Sequence, residues 1–140
     1  MNRTDIKNSE SLTLEVMRSH VHSWESDLEF INDELFFIDR LLNSYVFEPN
    51  TLNSFQKIED YLMRLQKIKH CKNKITIQIS THLNQLGGIL ESTDAYCDES
   101  SIKKHRSIEN QVQACVTDFK TVKSEVFKYA SGILKQRKPS

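Results

Sequence analysis

Apolar side chains recur at alternating steps of three and four through most of this 140-residue chain, and that stepping leaves little choice of fold. The first run is Leu14, Met17, Val21, Trp24, Leu28, Ile31, Leu35, Ile38, Leu42 and Tyr45. The second is Ile58, Tyr61, Leu65, Ile68, Lys72, Ile75, Ile79, His82, Leu86 and Ile89, with two polar intruders. The third is His105, Ile108, Val112, Cys115, Phe119, Val122, Val126, Tyr129 and Ile133. A strand needs alternation on a period of two, and none is present. Three seven-residue seams predict an all-α, elongated, antiparallel up-down three-helix bundle with coiled-coil-like packing.

Breakers are few, and they divide the chain. Glu48-Pro49-Asn50-Thr51 is the first, and Ser92-Thr93-Asp94 followed by Asp98-Glu99-Ser100-Ser101 the second. The helices are placed at about 9–47, 52–91 and 99–136, in one domain spanning 1–140, each near 60 Å at about 1.5 Å per residue. Asn50 or Thr51, and Asp98, carry side-chain oxygens suited to capping helices 2 and 3. Lys135, Arg137 and Lys138 lie where a helix C-terminus favours cations. Gly87-Gly88 either ends helix 2 early or lets another helix approach closely.

Charge is balanced overall, with 19 basic and 19 acidic side chains, which gives no electrostatic case for nucleic acid or an anionic membrane. Its distribution is uneven. Residues 1–50 carry 4 basic and 10 acidic groups, 51–91 carry 6 and 3, and 92–140 carry 9 and 6. An acidic first third therefore faces two basic ones. Helix 2 is basic through Lys57, Arg64, Lys67, Lys69, Lys72 and Lys74. No aromatics interleave these as stacking platforms, so they read as a solvated or salt-bridged face. The start lacks the apolar stretch of a secretory leader, and no segment is long enough to span a bilayer. Cys71, Cys97 and Cys115 form no CxxC pair, which points to reduced thiols and a cytoplasmic location. Cys115 reads as a seam hydrophobe and Cys97 as the candidate reactive thiol.

No reaction is legible. Phosphate loops, HExxH, GxSxG and paired Glu-x-x-His motifs are all missing, so no catalytic residue and no cofactor is expected. His105-x-x-x-Glu109 spans one helical turn, a spacing that can hold one edge of a metal site. If the chain turns at 47–52 and 91–99, His82 lies level with Met17 and Ile108, and His105 with Leu14. His20 and His22 fall within two turns, so four of the five histidines gather at one pole. His20, His82, His105 and Glu109 are the candidates for a metal or proton-sensing site. The alternative is neutral imidazoles bonded inside a bundle, with His82 and His105 buried. Lys72 lies level with Asp27 and Asp118 and reads as a polar layer fixing register, paired with one of them or with a carboxylate one turn away.

Aromatic residues also fall outside the seams. Phe30 and Phe37 take position c of helix 1's heptad and Phe36 position b. Phe127 and Leu134 take b in helix 3, and Leu41 flanks the seam at g. Phe30, Phe36, Phe37, Leu41, Phe127 and Leu134 are thus the candidate contact surface for a protein partner or a second copy. The functional expectation is a non-enzymatic helical interaction or oligomerisation module. The alternative is a bundle that binds a metal or small ligand at its histidine pole.

Trp24-x-x-Asp27-Leu28-x-Phe30-x-x-Asp33-Glu34, together with His105-Arg106-x-x-Glu109, resembles short bacterial helical proteins of unknown function. The resemblance covers a minor part of the chain. It implies a three-helix fold and no particular activity.

Overall fold

A computed structural model describes residues 13–44, Phe47, 52–91 and 99–137. They form three helices, α1 Leu14–Leu42, α2 Leu52–Glu91 and α3 Glu99–Arg137, and every pair packs together. The heptad seams make the core. Met17 through Leu42 on α1, Ile58 through Leu86 on α2 and Ile108 through Val126 on α3 are buried at their seam positions, apart from Lys72, which is half-buried. Arg64 with Glu125 and Gln78 with Gln111 join α2 to antiparallel α3 within one residue of the level set by a turn at 91–99. Among the described residues no helix is long and apolar enough to cross a membrane.

The first helix is shorter than its apolar pattern, which continues to Tyr45. It starts at Leu14 because Thr13 is extended, and the Thr13 hydroxyl accepts the Val16 N–H at 3.2 Å. It ends at Leu42 because short polar side chains take over the last carbonyls. The Asn43 amide donates to the Asp39 carbonyl at 2.8 Å, and the Ser44 hydroxyl to that of Leu41 at 2.6 Å. Phe47, beyond the helix, replaces the missing turns of core. It is buried, with its ring centroid 5.6 Å from that of Tyr129, which in turn lies 5.9 Å from Tyr61. So the three helices are not of equal length, at 29, 40 and 39 residues.

Helix α2 runs through Gly87-Gly88 without a break. Neither glycine has positive φ, and a Cβ built on either would meet nothing within 4 Å. Neither an early end nor a close helix approach explains the pair. The capping candidates Asn50, Thr51 and Asp98 lie outside the described residues, as do Tyr45, Cys97 and Lys138 and the side chains of Ile89 and Arg137.

Candidate functional site: a histidine line and an aromatic face between α1 and α3

Seam position places His82 of α2 and His105 of α3 inside the bundle, and both are fully buried. His20, on the α1 flank facing α3, is half-buried. The rings form a line. His20 Nδ1 lies 3.0 Å from His105 Nε2, and His105 Nδ1 lies 3.1 Å from His82 Nε2. Trp24 packs on the middle ring, with centroids 4.5 Å apart. Burial and the neighbouring His82, His20 and Arg106 charges push the His105 pKa down to about 3. Burial, with Lys104 nearby, also lowers that of His82. His82 and His105 are thereby held as neutral, hydrogen-bonded imidazoles.

The pole holds three histidines rather than four. His22 is exposed, with its Nδ1 3.4 Å from the Glu25 carboxylate on its own helix. Glu109 does not pair with His105. Its carboxylate lies 3.7 Å from Arg106, and it lines a shallow groove with His20, Ser23, Trp24, Asp27 and Gln113. The middle ring offers opposite nitrogens to its two neighbours, so the three rings do not converge on one point. Among the described residues no three histidine, cysteine or carboxylate side chains gather as a metal cage. The arrangement is chemically suited to sharing protons.

Lys72 meets an amide instead of a carboxylate, with its Nζ 2.8 Å from Asn32 Oδ1. Asp27 cannot serve, because it sits on the flank of α1 that lines the groove with α3. Cys115 is buried, and burial together with the adjacent Cys71 pushes its thiol up to about 11. Arg64 forks onto Glu125 at 3.0 and 2.8 Å, while Lys67, Lys69 and Lys74 are exposed. The basic face of α2 is thus largely solvated, with one strong bridge to α3.

The off-seam aromatics divide into two groups. Lys123 of α3 ion-pairs with Glu34 of α1, and its Nζ lies 5.7 Å from the ring centroids of both Phe30 and Phe127. Phe37 follows two turns after Phe30 on the same stripe. Phe30, Phe37, Phe127 and Leu134 are 58, 54, 39 and 55 % exposed. Phe36 is also exposed, but it lines a separate groove with Leu62, Leu65 and Gln66 of α2 and carries Arg40 5.6 Å above its ring. Leu41 is half-buried against the core. Leu52, Phe55, Met63 and Ile77 on α2 are exposed as well, spread along one outer arc of that helix.

Two features escaped the sequence reading. The Glu34–Lys123 pair joins flanking heptad positions, and the g-to-e pairing rule for parallel helices could have found it. The Gln78–Gln111 amide pair, with two bonds of 3.0 and 3.1 Å one turn from His82, has no periodic signature. Compared with known proteins, the chain matches no protein family, no curated protein and no solved structure.

Proposed function

We propose that this chain is a non-enzymatic helical module that pairs with a second copy of itself through the α1/α3 face, in the reducing cytoplasm. The observation that carries the reading is the row of half-exposed Phe30, Phe37, Phe127 and Leu134 on a bundle whose seams already supply its core. Helix α1 holds seven acidic and two basic groups, net −5, and α3 holds four acidic and eight basic, net +4. A two-fold axis parallel to the helices sets α1 of each copy over α3 of the other, at matched levels. Opposite charge then meets opposite charge, and aromatic meets aromatic. The axis perpendicular to the helices would set acidic α1 on acidic α1.

The exposed fractions of these four side chains amount to about two whole side chains per copy. At about 1.5–3 kcal/mol each, burying them in both copies gains about 6–12 kcal/mol, against an association cost of about 4–15 kcal/mol. The balance describes a weak, concentration-dependent dimer. Charge exchange tests it. Asp27 on α1 and Lys120 on α3, one heptad before Phe127, face each other across the two-fold. Asp27→Lys and Lys120→Glu each dissociate the dimer in sedimentation velocity, and mixing the two variants restores it. Failure of the mixture to associate, with each variant folded, overturns the pairing.

A further inference from the structure

Among the described residues, His82 Nδ1 is the buried side-chain nitrogen or oxygen that has no hydrogen-bond partner. Its position at one end of the histidine line gives it meaning. A neutral imidazole carries one N–H and one bare nitrogen. Each bond of the line needs one of each. If His105 Nε2–H donates to His20 Nδ1, then His105 Nδ1 is bare and must accept from His82 Nε2–H. All three rings are then Nε2–H, with His82 Nδ1 a bare buried lone pair. If the bonds run the other way, all three rings are Nδ1–H, and His82 holds a buried N–H that nothing accepts. No mixed arrangement keeps both bonds. Unaccepted buried N–H groups are the rarer defect in proteins, which favours the Nε2–H line at neutral pH.

We propose that the three imidazoles titrate as a single proton line, whose charge gathers at His20 in the α1/α3 groove while a hydrogen is placed on the buried Nδ1 of His82. The atoms balance without any ring turning over. In sum the line gains one proton from solvent, and one more hydrogen ends on His82 Nδ1. The hydrogen between His82 and His105 passes to His105 Nδ1, and the one between His105 and His20 passes to His20 Nδ1. His20 then holds both N–H groups and the positive charge, and His105 and His82 are neutral Nδ1–H rings. The surroundings favour that placement. Asp27 of α1 and Glu109 of α3 line the groove beside His20. Lys104 and Arg106 of α3 oppose positive charge on His82 and His105, and α2 contributes His82 itself. Whichever ring holds the charge, His82 Nδ1 carries hydrogen once the line is protonated. Protonation at a groove on α1 is thereby reported at a buried atom of α2. The three rings belong to one copy, so the inference does not rest on the dimer, although Asp27 borders both the groove and the proposed interface.

Long-range ¹H–¹⁵N correlation of the imidazole nitrogens from pH 8 to pH 5 tests it, with exposed His22 and His70 as internal references. At pH 8 His20, His82 and His105 all show Nε2–H. On acidification the three change together with one midpoint, and His82 Nδ1 moves to a protonated shift while its ring stays neutral. In His20→Leu, which removes the ring facing the groove, His82 and His105 keep their pH 8 pattern down to pH 5. Mixed tautomers at pH 8, or a His82 that keeps its tautomer while His20 is charged, overturn the proposal from wild-type spectra alone. A His82 transition with the same midpoint in His20→Leu overturns it as well.

Discussion

Acidification from pH 8 to pH 5 destabilises this fold, and the buried imidazoles set the size of the loss. The folded pKa of His105 is pushed from an ordinary 6.5 to about 3, and that of His82 is lowered too. The folded chain therefore binds fewer protons than the unfolded chain below pH 6.5. Stability is complete above that value and is lost as pH falls from 6.5 toward 3. At pH 5 an unfolded histidine is protonated in all but a few per cent of molecules, so His105 alone costs about 2 kcal/mol at 1.36 kcal/mol per pH unit. His82 adds in the same direction, with a ceiling of about 4 kcal/mol for the pair. Urea unfolding followed by far-UV circular dichroism at both pH values measures the loss. The double variant His82→Leu, His105→Leu removes both titrations while keeping the seam apolar, so its loss between pH 8 and pH 5 shrinks by about 2–4 kcal/mol. Equal losses in wild type and variant would refute the reasoning.

Three further outcomes follow from the packing. Gly87→Ala and Gly88→Ala each raise stability by about 0.5–1 kcal/mol in urea melts, since the helix is continuous and the added methyl meets open space. Phe47→Ala costs about 3–5 kcal/mol because the ring replaces a missing stretch of α1 core, while exposed Phe36→Ala stays within about 0.5 kcal/mol; thermal melts separate the two. In a Cys97→Ser background, iodoacetamide mass labelling modifies exposed Cys71 quickly. Buried Cys115, with its raised pKa, reacts only after denaturant is added.

Level along the bundle was legible in the sequence, and side was not. Helix number, the ends of α2 and α3, and the depth of His82 and His105 followed from the seven-residue step and the positions of the breakers. The heptads do not say on which side of the α1–α2 pair the third helix returns. That choice turns Asp27, Glu34 and Phe30 toward α3 and Asn32 toward α2, which is why Lys72 meets an amide. It also parts Phe36 from Phe30 and Phe37 and leaves His22 in solvent. Helix α1 ends before its apolar step does, because Asn43 and Ser44 capture the last carbonyls, a competition that the apolar step does not encode. The bonds of the histidine line depend on ring orientations, which no residue spacing encodes.

The proposed self-pairing is tested most directly by mass in solution. Sedimentation equilibrium of the wild type over a wide concentration range should show a reversible shift from 16.4 kDa toward twice that mass. The Phe30→Ser, Phe37→Ser double variant, with unchanged circular dichroism, should remain at 16.4 kDa throughout. A wild type that stays at the single-chain mass at every concentration, indistinguishable from the variant, would contradict the account.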